Sequence, residues 1–237
     1  MTTYKVERAV NKTHLAQKAC QVIASHIDLV LGEKERAQVA FSGGSTPSEA
    51  YRLLSQKNLP WDRVDLFLAD ERWVDQEDKA SNAGMIHRTL LASGPGSGCK
   101  FHAIPTIQYP NPQESAQAFS KLLTTLCVGE PPILDLILLG LGDDGHTASL
   151  FPESDSLNVS DSWATVGIAK GHERVTLTAP VLSAARKVVF LVSGSSKQLA
   201  LQRLMDPSEP SSRTPARLVQ PHSEILILAD DAASFLI

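Results

Sequence analysis

The chain has 237 residues, 43% of them hydrophobic and 20% charged, enough for one large α/β domain or two small ones in an ordinary soluble protein. Its formal net charge is −4, so no global basic field draws it to nucleic acid or to a membrane surface, and neither partner is expected. An anionic ligand would have to be held by a local cluster of cations and backbone amides.

In chain order, Met1 to Arg8 lacks the apolar core of a signal peptide, and no later run is long enough to span a bilayer. Apolar residues at Leu15, Ala19, Val22, Ile23, Ile27 and Val30 form a helical stripe that is expected to end at Gly32. Gln38-Val39-Ala40-Phe41 reads as a short strand entering Gly43-Gly44. A helix should open there, with Thr46 at the N-cap, Pro47 in the first turn and Glu49 completing a capping box. Val64 to Ala69 is a second strand, ending on Asp70-Glu71-Arg72. A helix from Ala83 to Leu91, a breaker loop from Ser93 to Gly98, a short strand from Lys100 to Ile104 and a helix from Pro112 to Cys127 follow.

Leu136 to Leu139 is an unbroken aliphatic run, as expected of a strand buried on both faces of a parallel sheet. It stops in Gly140-Leu141-Gly142-Asp143-Asp144-Gly145-His146. Trp163 to Ile168 and Arg174 to Thr178 alternate as half-buried strands do. A helix from Val181, a strand over Val188–Val192 and a helix from Ser195 to Met205 come next. Asp206 to Pro221 reads as a surface loop and Ile225 to Leu228 as a last strand. Strands alternating with helices predict a single α/β domain over residues 1–237, with a mainly parallel, Rossmann-like sheet flanked by helices. Cys20, Cys99 and Cys127 form no Cys-x-x-Cys pair, which predicts reduced thiols and a cytoplasmic location.

Ligands of open α/β sheets bind at the carboxyl ends of the strands, and three strand-to-helix junctions there carry anion-binding groups. The Ser42-Gly43-Gly44-Ser45-Thr46 loop offers backbone N–H groups and a helix start, for which phosphate is the natural occupant. Asp70 and Arg72 stand two apart on an extended chain and so project the same way, Arg72 being suited to bidentate phosphate contact. Lys197, after Ser193-Gly194-Ser195-Ser196, adds a point charge. His146 is the candidate base, since an imidazole with an ordinary pKa of about 6.5 takes and returns a proton near neutrality. Either Asp144 or Asp70 can hold its tautomer. Ser149 falls in no Gly-x-Ser-x-Gly elbow, so activated water is favoured over a covalent acyl-enzyme, with oxyanion-stabilising N–H groups expected around Gly142 to Gly145. The remaining histidines show no metal-ligand spacing, and no metal is expected.

Ser42-Gly43-Gly44-Ser45-Thr46-Pro47, Asp70-Glu71-Arg72-Trp73-Val74 and Gly140 to Pro152, with its Asp-Gly-His-Thr-Ala-Ser-Leu-Phe-Pro run, together resemble the 6-phosphogluconolactonase family. Arg174-Val175-Thr176-Leu177-Thr178 and Ser193 to Lys197 resemble its later motifs, and the likeness runs from Val39 to Ala233. It implies the fold shared with glucosamine-6-phosphate deaminase and ribose-5-phosphate isomerase. It also implies no cofactor, and hydrolysis of 6-phospho-D-glucono-1,5-lactone in the oxidative pentose phosphate pathway. In that reaction His146 activates water, Asp70 or Asp144 assists, and Ser42 to Thr46, Arg72, Arg174 and Lys197 hold the substrate. The deaminases typically carry Asp-Glu-Tyr where this chain has Asp70-Glu71-Arg72, and His-Ile-Ala-Phe-Asn-Glu-Pro where it has His146 to Pro152. A deaminase-type enzyme and a non-catalytic sugar-phosphate sensor are the alternatives. Lys170-Gly171-His172-Glu173 replaces a usually proline-rich segment, and the last strand lacks a frequent aromatic. The small-molecule substrate is the one partner expected, with the protein a monomer or a weak homo-oligomer.

Overall fold

A computed structural model describes residues 2–169 and 171–237; Met1, and Lys170 in the departing segment, lie outside them. The strands are β1 (Tyr4–Ala9), β2 (Ala37–Phe41), β3 (Val64–Leu68), β4 (Asp70–Arg72), β5 (Lys100–His102), β6 (Leu136–Gly140), β7 (Ala164–Ala169), β8 (His172–Leu177), β9 (Val188–Val192) and β10 (Ile225–Asp230). The α-helices are α1 (Lys12–Glu33), α2 (Ser45–Ser55), α3 (Asn82–Ile86), α4 (Pro112–Leu126), α5 (Ala179–Ala184) and α6 (Gln198–Met205). Seven strands form one sheet in the order β1-β10-β9-β6-β2-β3-β5, every neighbouring pair parallel. Every residue of β2, β3, β9 and β10 is buried, which is why these strands read as apolar runs without alternation. A second, antiparallel sheet of β4, β8 and β7 carries the alternating segments.

The strand order places the site. From β2 the chain moves outward to β3 and β5; it returns to β6 beside β2 and then moves the other way to β9 and β10. The crevice at the carboxyl ends of β2 and β6 is therefore the topological switch point, where open α/β sheets take their ligands. The Ser42-Gly43 loop leaves one of these strands and the Gly140 to His146 loop the other.

Several local expectations need correction. The first helix continues through Gly32 to Glu33 and caps on Lys34, so packing overrides the glycine signal. Gly44, with φ at +117°, is the N-cap of α2 and no side chain caps that helix. Thr46 lies inside it, and Glu49 bonds Arg52 at 3.0 Å rather than closing a capping box. Ser195–Lys197 is a 3₁₀ turn and the last helix starts at Gln198. Residues 206–221 are not simply a surface loop: Glu209, Thr214, Ala216 and Val219 are buried, and Pro215–Leu218 forms a 3₁₀ turn. The edge strand β1 was not expected, because polar residues interrupt its pattern on the partly exposed edge. Among the described residues no helix is long and apolar enough to cross a membrane.

Candidate active site

Three buried side-chain atoms among the described residues lack a hydrogen-bond partner: Ser42 Oγ, Arg72 Nε and Arg174 Nε. Buried polar atoms are nearly always paired, because leaving one unpaired costs about 1–3 kcal/mol. All three belong to one cavity of about 100 Å³, lined also by Gly43, Asp70, Asn82, Gly140, His146 and Ala148. A larger cavity, about 480 Å³, lies beside Tyr4 and Arg217 but contains none of these unpaired atoms. Size alone favours that larger one; unmet hydrogen-bonding capacity is the better guide to a ligand, and it selects the switch-point crevice.

The two arginines reach the cavity because the small sheet puts them side by side. Arg72 on β4 pairs in register with Arg174 on β8, so their side chains share a face. Arg72 Nη1 donates to the Ala80 carbonyl, which fixes its fork while leaving Nε free. Arg174 Cζ lies 5.3 Å from the centre of the Phe151 ring, and its Nη1 is 3.8 Å from Asp70 Oδ2. Burial, and the Arg72 charge beside it, hold the Arg174 guanidinium below its usual pKa despite Asp70. A buried cation beside a half-buried one is costly unless an anion joins them.

His146 and Asp144 form the other half. Nδ1 of His146 meets Asp144 Oδ1 at 2.5 Å, and the same oxygen accepts from the His146 backbone N–H at 3.1 Å. The carboxylate that orients the imidazole is therefore Asp144. Donation from Nδ1 leaves the lone pair on Nε2. A Cβ on Gly142 would stand 2.0 Å from His146 Nδ1 and 2.5 Å from Asp144 Oδ1, so this pairing exists only over a glycine. The imidazole also packs on Phe151, ring centres 4.6 Å apart. Phe151 thus touches both the candidate base and the Arg174 guanidinium.

Asp70 has a different role from orienting the imidazole: its bonds run elsewhere. Oδ2 accepts from Ser149 Oγ at 2.6 Å, and Asn82 Nδ2 donates to the Asp70 carbonyl at 2.8 Å and to Oδ1 at 3.3 Å. Asn82 in turn presses on Gly43, where a Cβ would fall 1.8 Å from its Oδ1. The neighbouring Glu71 carboxylate accepts from the backbone of Arg72, Asn82 and Ala83. Burial pushes its pKa up, against those bonds. Asn82 and Phe151 are site residues that the sequence does not single out, and Ser149, read there only as a nucleophile and set aside, instead bonds Asp70. Phe151 lay within a quoted motif, whereas Asn82 carries no local signal.

Other expected residues lie further out. Ser45 is exposed and Thr46 partly so; they stand in the first turn of α2 beyond Gly43 and Gly44. Lys197 is 4.0 Å from Asp143 and does not line the cavity. The amides of Gly142 and Gly145 are already committed, to the His146 and Gly142 carbonyls, so they do not form the expected oxyanion donors. Ala148, at φ +48°, holds strained backbone at the cavity wall. Among the described residues no three His, Cys, Asp or Glu side chains gather to hold a metal ion.

Known proteins share this arrangement of chain. A 6-phosphogluconolactonase of Synechocystis sp. is 38% identical over 232 residues, covering 97% of this chain and 96% of that protein. The 6-phosphogluconolactonase of Homo sapiens is 33% identical over 240 residues, covering 94% and 90%. A 6-phosphogluconolactonase structure from Trypanosoma brucei matches with a TM-score of 0.87 at 25% identity over 99% of each chain. A monomeric glucosamine-6-phosphate deaminase, 21% identical with a TM-score of 0.83 over 98% of this chain and all of the other, shares the fold. The family model for glucosamine-6-phosphate isomerases/6-phosphogluconolactonase matches residues 10–228, and the chain belongs to that family.

Proposed function

We propose that this protein is a 6-phosphogluconolactonase, hydrolysing 6-phospho-D-glucono-1,5-lactone to 6-phosphogluconate in the oxidative pentose phosphate pathway. The observation that carries the reading is the meeting, in one crevice, of two neighbouring arginines that each keep a buried Nε without a partner with a carboxylate-oriented imidazole. Arg72, Arg174, Ser42 and the amides from Gly43 to Thr46 hold the anionic substrate, with Lys197 adding charge at the rim. Fixing the phosphate fixes the lactone carbonyl and converts attack by water into an oriented step. His146 Nε2 removes a proton from that water as its oxygen bonds to the carbonyl carbon. The ring C–O bond of the tetrahedral intermediate then breaks, and the same nitrogen returns the proton to the departing ring oxygen. Asp144 holds the tautomer and stabilises the imidazolium formed in between. Asp70 positions Arg174 and the Ser149 segment. The protein acts in the cytoplasm as a monomer or weak homo-oligomer.

The deciding experiment is a lactonase assay corrected for spontaneous hydrolysis, run on the protein and on His146→Ala. The variant is expected to lose roughly 10²- to 10⁴-fold in kcat with a modest change in KM. Wild-type-like turnover in it refutes the role of His146. Ammonia release from glucosamine-6-phosphate, without lactonase activity, moves the protein to the isomerase branch of the family. EDTA should leave the rate unchanged; inhibition reversed by added metal defeats the step as written.

A further inference from the structure

The 206–221 segment, which the proposed reaction does not use, has a buried interior and ends against the Asp-Gly-His loop. Glu209 accepts from Arg213 Nε at 2.8 Å and also from Arg213 Nη2. It accepts from Thr214 Oγ1 at 2.6 Å. Arg213 covers this carboxylate from the solvent side, its side chain 60% exposed, while Thr214 is fully buried. The hydroxyl bond fixes the Thr214 rotamer, and the residue so held meets Gly145. A Cβ there would lie 3.0 Å from Thr214 Cα and Cγ2 and 3.1 Å from Oγ1. Two residues on, the Ala216 N–H donates to the Gly145 carbonyl at 3.0 Å. Gly145 is the residue between Asp144 and His146. The far end of the segment is tied down separately, Arg217 Nη1 donating to the Leu204 carbonyl of α6 at 3.0 Å.

We propose that Glu209 and Thr214 are positioning residues for the His146–Asp144 pair. They press on the Gly145 peptide from outside, so that the imidazole stays over Gly142 with Nε2 aimed into the crevice. The loop's own bonds, from Gly142 and Gly145, close its turn, and Thr214 packs against that turn at Gly145. The inference rests on His146 being the base. A displacement of an ångström at a reacting group costs about 10²-fold in rate, so a fraction of that shift is expected to cost roughly tenfold.

The test uses Thr214→Val, which keeps the shape and removes the hydroxyl bond, and Glu209→Gln, which weakens the same bond from the other side. Thr214→Ser retains the bond and serves as the conservative control. Both disrupting variants should lower kcat about tenfold with KM within about twofold of wild type, and Thr214→Ser should stay near wild type. The imidazole nitrogen NMR signals of His146, assigned by their loss in His146→Ala, should move in the two disrupting variants and not in Thr214→Ser. Unchanged kcat, or a lower kcat with unmoved His146 signals, overturns the proposal, the latter because it marks a purely structural role. The NMR arm needs no substrate. Unmoved signals therefore defeat this inference even if the lactonase assay fails, whereas moved signals with no lactonase activity defeat the functional reading instead.

Discussion

Arg72 and Arg174 stand opposite each other in register on neighbouring antiparallel strands, and each keeps a buried Nε without a partner. Two cations so placed repel, Arg174 is largely stripped of water and Arg72 partly so, and Asp70, 3.8 Å from Arg174, offsets this only in part. Sites of this kind give up stability for binding.

Replacing Arg174 with Met therefore separates the two properties. Removing a charged hydrogen-bond donor costs about 1.5–3 kcal/mol of binding, or roughly ten- to a hundredfold in KM. Thermal stability should change little: a desolvated charge next to Arg72 is gone, but Asp70 loses its counter-charge and keeps only its bonds from Ser149 and Asn82. Steady-state kinetics and a melting curve on one preparation decide it; a lower Tm with unchanged KM assigns Arg174 to the scaffold.

The two carboxylates should separate as cleanly. Asp144→Asn leaves a side chain that can donate to Nδ1 and so favours the wrong tautomer of His146. A fully buried orienting aspartate is worth about 10⁴ in kcat in the serine-protease triad. Asp144 is 41% exposed, so a smaller loss, roughly 10- to 10³-fold, is expected here, with little change in KM. Asp70→Asn should instead raise KM and lower Tm, because it strips Arg174 of its counter-charge and Ser149 of its acceptor. If Asp70→Asn behaves as Asp144→Asn does, the division of labour drawn from the hydrogen bonds is wrong.

The parts of the molecule legible in the sequence were those set by local chemistry. Buried parallel strands announce themselves as aliphatic runs, and the glycine-to-polar breaks after Phe41 and Leu139 mark their carboxyl ends. His146, Arg72 and Asp70 could be named because several such breaks at the carboxyl ends of the strands, where ligands bind, carry anion-binding or titratable groups together. What the chain hides is pairing at a distance. Whether Asp70 or Asp144 serves the imidazole depends on β4 turning away into a second sheet, where Asp70 meets Ser149 from 79 positions later. Asn82 enters the site only because Glu71 gathers the backbone at the start of α3. Thr214 could not be seen at all: its neighbours read as loop, and only the fold brings it to Gly145.

Gly142→Ala tests how closely the base is seated. Its added methyl group would overlap the His146–Asp144 pair at 2.0 and 2.5 Å, and neither group can retreat without breaking the bond between them. The imidazole should be displaced, and a misplaced catalytic group costs about 10² in rate. The fold should survive, since Gly142 sits in a loop on the rim of the sheet. A variant with native circular dichroism and at most a few per cent of wild-type kcat is the expected result; near-normal kcat means the pair is not held as described.

Acid stability gives an independent reading of Glu209. The bonds from Arg213 and Thr214 bring its pKa down from an ordinary 4.5 to about 2, against the opposing effect of burial. Between those values the unfolded chain binds a proton that the folded protein does not, so the stability conferred is fully present above about pH 4.5 and is lost as the pH falls toward 2. Asp65 and Asp230 also sit below their ordinary range. Burial raises each, but the hydrogen bonds from Arg36, His102 and Gln38 to Asp65, and from Gly194, Ser193 and Ala233 to Asp230, outweigh it. They add to the same acid limb. Glu209→Gln has no carboxyl to titrate and should remove one share of that limb. Urea unfolding should show the variant less stable than wild type at about pH 6, with the gap narrowing steadily toward about pH 3. A gap that is constant with pH means that Glu209 is not held ionised by Arg213 and Thr214, and the wall behind Gly145 loses its anchor.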